Sequence, residues 1–249
     1  MGSPAGVPYL PPVSRRLAAA VALASGLAFA AVAIWIGRSA HIVPAADRQL
    51  HDWVLLHRPT WTTAIARAVR WGGLSYCVLP ALALIGTAAA SGRNLISRVW
   101  SGLFLTAVAG AGIYVEILIN AVIDRARPPA ADWAGAAGGP SFPSGHTTTA
   151  TLFAVSCAWA LMARAPAGPC RRGLWAGAAV YVTVIGWSRI WLGVHWPTDV
   201  LGAWLYGIAW MSIAMAVMPG GQQAGEDRAL RSPVWPRPAA AAARPSHQA

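Results

Sequence analysis

Residues 17–37 read LAAAVALASGLAFAAVAIWIG, an uncharged apolar run set directly behind Arg15 and Arg16. At a rise of ~1.5 Å per residue such a run crosses the ~30 Å hydrocarbon core of a bilayer as one helix. A cleaved leader also starts basic, but its apolar stretch is only about 7–15 residues long, so a retained helix is expected. Outward from it, apolar runs recur at 72–90, 99–119, 147–163, 173–187 and 200–218, separated by segments that hold most of the charge. Together they predict an all-α integral membrane protein with six transmembrane helices. The fourth and fifth runs are short for a full crossing, so they are expected to extend into flanking residues or to meet a thinned bilayer. Composition agrees, since 56% of the 249 residues are hydrophobic and 11% charged, against roughly 25% charged in a soluble domain.

The formal net charge is +11, and every basic residue is an arginine. These arginines lie between apolar runs and build no compact basic domain on which a duplex docks, so nucleic-acid binding is excluded. Six crossings put both termini on one side, where eleven arginines fall against eight on the other. Three of the eight, Arg125, Arg127 and Arg189, lie in polar islands with a chemical use of their own, so the positive-inside tendency points both termini to the cytoplasm of a plasma-membrane protein. Residues 1–16 are expected to form a cytoplasmic N-terminus, 17–218 the six-helix domain, and 219–249, rich in proline, arginine and alanine, a disordered cytoplasmic tail. In the external segment 38–70, Leu50, Trp53, Val54 and Leu55, then Ile65, Ala68 and Val69, recur at roughly helical spacing. This predicts one or two amphipathic helices lying on the membrane, interrupted at Pro59, with a solvated loop as the alternative. Cys77, Cys157 and Cys170 lack metal-ligand spacing and are assigned to packing.

Three polar islands interrupt the apolar chain, and all fall on the predicted external face: residues 124–129, 143–147 and 188–199. Ionisable groups at membrane depth are costly and usually carry function. The second island, Pro143-Ser144-Gly145-His146-Thr147, stands at a helix start, where Ser144 is expected to cap, Gly145 lets the backbone approach a ligand, and the first N–H groups face an anion. In the third island His195 and Asp199 are four apart, so a carboxylate on the opening turn of the last span reaches one imidazole nitrogen and leaves the other free. Arg189 offers a fork suited to phosphate oxygens. In the first island Pro128 is expected to stop the third span, leaving Arg127 just outside it. Each island alone also fits a bland interface of helix-end anchors and belt tryptophans. Their convergence favours a site.

Arg127-Pro128, Pro143-Ser144-Gly145-His146, and Ser188-Arg189 followed by His195 and Asp199 resemble the three-part signature of the type 2 phosphatidic acid phosphatase superfamily. The order matches, with 14 residues between the first two parts and 41 between the last two. The resemblance implies that His195 attacks phosphorus to form a phosphohistidine, that Asp199 orients it, and that His146 protonates the leaving oxygen. It further implies that Arg127, Arg189, Ser144 and Gly145 hold the phosphoryl oxygens, with no metal or other cofactor. One position departs: seven residues before Arg127 the family usually carries lysine, and here stands Asn120, a neutral donor and therefore a weaker one. Arg125 either supplies a replacement cation on the phosphate or pairs with Asp124.

The expected activity is therefore a membrane phosphatase acting on a lipid phosphate that reaches the site sideways from the outer leaflet. A polyprenyl diphosphate is the leading substrate and phosphatidate or phosphatidylglycerol phosphate the alternative. A non-catalytic lipid-binding or transport protein on the same scaffold is the competing reading.

Overall fold

The computed structural model of the chain describes residues 10–11, 13–39, 43–90 and 94–218. The tail expected to be disordered and most of the short N-terminal segment lie outside these residues. The described chain is helical, without a strand: α1 (Arg15–Arg38), α2 (Ala45–His57), α3 (Thr60–Val69), α4 (Ser75–Ala89), α5 (Leu95–Ile123), α6 (Gly145–Leu161), α7 (Pro169–Trp191) and α8 (Pro197–Val217), with 3-10 turns at Arg70–Gly73 and Ala130–Asp132. Among them α1, α5 and α8 are each long and apolar enough to cross a membrane, and α3 with its 3-10 turn joins α4 in a fourth such run bent by 55°. α6 has only 17 residues, and α7 carries Arg171, Arg172 and Arg189 within its 23. Both fall outside that set.

α6 is the hub, packed against α4, α5, α7 and α8. Its residues explain the position: Thr147, Thr148, Ala150, Thr151, Ala154 and Ala158 are small and buried all round the helix, so four neighbours approach closely. Thr151 returns its hydroxyl to the Thr147 carbonyl at 2.8 Å, which satisfies a buried polar group without a partner helix. Leu82, Leu105, Leu152, Trp159 and Met211 fill the space around this hub. Outward, Leu23, Leu27, Ile34, Leu118, Val122 and Val217 are exposed, the apolar exterior that lipid requires.

α5 runs on past its expected end, and what stops it is Asp124, not Pro128. Asp124 adopts the left-handed conformation at φ 47°, ψ 43°, and its N–H closes the last turn on the Asn120 carbonyl. Aspartate tolerates this region better than most residues.

The segment between α1 and α4 forms two helices, broken at Arg58 and Pro59. Its buried stripe is not the apolar one. Asp47, His51 and Val54 face inward, while Trp53 is 45% and Leu56 82% exposed. On α3, likewise, Thr63 and Ala66 are buried and Ile65 is 54% exposed. Polar contacts fasten the pair of helices to the body. His51 meets Asp132 at 3.1 Å, Arg58 donates to the Asp132 carbonyl at 2.6 Å, Arg67 to the Ala134 carbonyl at 2.6 Å, and Trp191 to the Thr62 hydroxyl at 3.0 Å. Deepest is Asp47, fully buried, which accepts from Arg125 Nη2 at 2.7 Å and from the Thr198 hydroxyl and N–H at 2.6 and 3.0 Å.

Two substitutions test these joints through the thermal midpoint of the detergent-solubilised protein. Asp47→Asn leaves Arg125 short of a buried partner and should cost about 3 kcal/mol, whereas Asp52→Asn, exposed on the same helix, should leave the midpoint in place. Equal midpoints for both would refute the joint. Gly202 has no room for a Cβ because the ring of buried Phe142 lies on it. Gly202→Leu should therefore destabilise by about 1–3 kcal/mol, and Gly177→Leu, with open space around it, should not.

Candidate active site

Three loops meet at one end of the bundle: the stretch after α5, the approach to α6, and the α7–α8 connection. Two backbone bonds and one from an indole lock them together. Ser141 N–H donates to the Arg125 carbonyl at 2.7 Å, Ser144 N–H to the Asp199 carbonyl at 3.2 Å, and Trp196 Nε1 to the Ala126 carbonyl at 3.0 Å. Phe142 anchors the second loop by stacking on Phe29 of α1, with ring centroids 5.9 Å apart. Gly193 makes the turn after α7 at φ +69°, a region open to glycine.

His195 sits in the α7–α8 loop, 2% exposed. Its Nδ1 lies 2.9 Å from the Ser141 carbonyl and 3.4 Å from Asp199 Oδ2. A backbone carbonyl only accepts, so Nδ1 carries the proton and Nε2 keeps its lone pair. That nitrogen accepts from Arg127 Nη1 at 2.8 Å, which agrees, since guanidinium only donates. Burial first, then the Arg127 and Arg189 charges, hold the His195 pKa well below 6.5, against the opposing bond to Ser141. The ring is therefore neutral at physiological pH. Asp199 faces His195 through Oδ2, which also accepts from Trp196 N–H at 2.8 Å, and takes Arg125 Nη1 on Oδ1.

The arginines differ in what they have left to give. Every donor of Arg127 is engaged: Nε to the Gly139 carbonyl, Nη2 to those of Gly138 and Pro140, and Nη1 to Val194 and His195. Arg125 is bonded to Asp199, Thr198 and Asp47, and Asp124, one of the two partners expected for it, is not among them. Arg189 is 1% exposed, yet Nε and Nη1 have no partner among the described residues, and His146 Nε2 is likewise buried and unpartnered. The Arg189 charge acts on both histidines. Buried donors left unmade are costly.

Ser144 holds the N-cap position of α6 but makes no side-chain cap bond. Its buried hydroxyl instead accepts from Thr147 Oγ1 at 3.1 Å, a competition that neighbouring hydroxyls make available. Gly145 rests against Glu116, whose carboxylate lies 3.6 Å from where a Cβ would stand. Asn120, one turn after Glu116, aims its amide nitrogen at the carbonyls of Phe142, Pro140 and Pro143 at 3.1–3.3 Å, so it holds the loop that carries Ser144 to His146. The sequence alone singled out neither Asp47 nor Glu116. For Asp47 the available signal was its spacing from His51 and Val54, four and then three residues, which is one helical face.

A neutral imidazole whose unprotonated nitrogen meets a guanidinium, an orienting carboxylate, a second histidine and an arginine with unused donors can transfer a phosphoryl group. Comparison with known proteins points the same way. The family model described as the PAP2 superfamily matches residues 100–222. Phosphatidylglycerophosphatase B of Bacillus subtilis is 29% identical over 67% of this chain and 80% of its own length. An undecaprenyl-diphosphatase of Sulfolobus acidocaldarius is 33% identical over 29% of this chain and 30% of its own. The crystal structure of a transmembrane PAP2-type phosphatidylglycerolphosphate phosphatase from Bacillus subtilis superposes with a TM-score of 0.68 at 25% identity, over 85% of this chain and 98% of that one. With its helical fold, its converging loops and these relatives, the chain carries a PAP2 superfamily domain over residues 100–222, of the membrane lipid phosphatase branch.

Proposed function

We propose that this phosphatase hydrolyses the terminal phosphate of a lipid through a phosphohistidine on His195. The observation that carries the reading is a set of buried, unpartnered nitrogens, Arg189 Nε and Nη1 with His146 Nε2, on residues whose charges act on one another and on His195. A phosphoryl group offers three acceptor oxygens to such a set. His195 Nε2 attacks phosphorus, the bond from phosphorus to the lipid oxygen breaks, and His146, its proton held by the dianion's charge, delivers it to that oxygen. Water, deprotonated by His146, then displaces Nε2 and releases phosphate. Asp199 keeps the proton on Nδ1 and steadies the ring as its charge grows. Arg189 stabilises the equatorial oxygens, joined by Arg127 once Nη1 passes from Nε2 to the substrate, and Ser144 and the Gly145 N–H complete the cradle. Arg125 and Asn120 act from behind. On this chemistry no metal takes part.

Six crossings, by α1, α4 with its bent lead-in, α5, α6, α7 and α8, suit this site. Trp159 Nε1 donates to the Pro11 carbonyl at 3.0 Å near the C-terminal end of α6, while His146 stands at its start, so the chain enters at the end opposite the catalytic loops. Arg98 and Arg164 cap α4 carbonyls at that same opposite end, which by the positive-inside tendency is cytoplasmic. The site then faces outward at the plasma membrane, with α2 and α3 along the surface. An apolar groove of about 390 Å³ between α3 and α7, walled by Ile65, Val69, Val184, Trp187 and Trp191, runs to Ser188 beside Arg189 and suits a lipid chain arriving sideways. The leading substrate is a polyprenyl diphosphate. Phosphatidylglycerol phosphate is the second reading, favoured by the Bacillus subtilis relative that aligns over most of its length.

The detergent-purified protein should release phosphate from a panel of lipid phosphates with chelator present, and His195→Ala should lose at least about a thousandfold in rate. A wild type inert on the whole panel would sink the proposal. Because neutral His195 is the attacking form and its pKa lies below 6.5, kcat/KM should hold as pH falls through 6.5, with the acid limb beneath it. A histidine limb at or above 6.5 would contradict the assignment.

A further inference from the structure

Arg70 opens the 3-10 turn between α3 and α4. That turn is pressed onto the catalytic loops. Tyr181 of α7 donates its hydroxyl to the Gly72 carbonyl at 2.6 Å, and a Cβ on Gly73 would stand 2.7 Å from the His146 carbonyl oxygen and 2.9 Å from its Cβ. Arg70 is thus fixed on the His146 side of the site, and its charge reaches both His146 and Arg189. Unlike those of Arg58, Arg67, Arg125 and Arg127, its side chain has no hydrogen bond or ion pair among the described residues. Its guanidinium lies only over the Trp71 ring, 5.5 Å from the centroid. With Arg67 it lines a cavity of about 540 Å³ walled by Trp71, Trp133 and the 134–136 backbone, with no carboxylate in the lining.

The chemistry of the leaving group gives this cation a use. A monoester departs as an alkoxide, which needs the proton of His146 and has no further charge to place. A diphosphate departs as a lipid monophosphate, which brings its own anionic oxygens to the same side. A guanidinium there stabilises it more than a proton does. We propose that Arg70, on the turn whose Gly73 packs against His146, binds the lipid-bonded phosphate of a diphosphate substrate and stabilises it as the leaving group. The step balances: the bond from Nε2 to the terminal phosphorus forms, the bond from that phosphorus to the bridging oxygen breaks, and the electron pair leaves on the lipid monophosphate. Water then cleaves the phosphohistidine to inorganic phosphate. The inference rests on the lipid-phosphatase reading above and narrows its substrate to diphosphates.

The test compares kcat/KM on farnesyl diphosphate and farnesyl monophosphate for wild type, Arg70→Gln, Arg70→Lys and the exposed control Arg48→Gln. Arg70→Gln should lose roughly 30-fold more on the diphosphate than on the monophosphate, a charged phosphate contact being worth one to two decades. Lysine should restore part of the difference, and Arg48→Gln should leave the ratio unchanged. Equal losses on both substrates, or no loss, overturn the proposal. Should Arg70→Gln fail to fold, wild type alone decides: a farnesyl methylenebisphosphonate should inhibit at least about tenfold more tightly than farnesyl phosphonate, and equal inhibition overturns the role of Arg70. A wild type inert on both farnesyl substrates and on phosphatidate fails at the earlier step, taking the lipid-phosphatase reading with it.

Discussion

Arg125 is buried between two carboxylates, and much of the catalytic end is arranged around that fact. A guanidinium taken out of water is tolerated only when its charge is matched and its donors are used. Asp199 matches it from the first turn of α8 and Asp47 from α2, with Thr198 between them. One side chain therefore pins its own loop, α8 and α2 to the same point. With two acids to one base the cluster keeps a net negative charge, which is what Asp199 needs if it is to attract the Nδ1 proton of His195 rather than be silenced by the arginine behind it.

The other two arginines share chemistry but not circumstances. Arg127 spends its fork on carbonyls from residues 138–140 and 194, so it shapes the site's rim as much as it can bind anything in it. Arg189 rises from the last turns of α7, and no acceptor among the described residues meets Nε or Nη1. Its placement on a helix, with open donors, is what suits it to the anion site proposed above. The hub makes this possible: because α6 is small-sided all round, α7 and α8 both reach it, and their connecting loop brings His195 to the helix start that carries His146.

Much of this was legible in the sequence, for identifiable reasons. Apolar runs announce helices that lipid will surround, and charged islands in such a chain stand out because water is not there to excuse them. The fold of 38–70 was harder. Periodicity found its helices but not the face that meets the body, where Asp47, His51 and Val54 look in while Trp53 and Ile65 look outward. Polar side chains make that joint, and hydrophobicity alone cannot say so. The end of α5 was misplaced because proline is a conspicuous stop and a left-handed aspartate is a quiet one. The partners of Arg125 and Asn120 were beyond reach for another reason: they lie 73 to 78 and 20 to 23 residues away, and one sequence carries no trace of such distances.

The bond from Arg127 to Nε2 of His195 has a consequence for life inside a bilayer. The lone pair is already in use before any ligand arrives, so a newcomer must draw the guanidinium away by offering a better acceptor. Phosphodiesters, which make up nearly all the surrounding phospholipid, spread a single charge over two free oxygens and make a poor bid. A terminal phosphate, with three free oxygens and close to two charges, makes a strong one. On the proposed phosphohistidine mechanism the contact would thus sort the phosphates that reach His195, turning away the diesters that make up most of what drifts past.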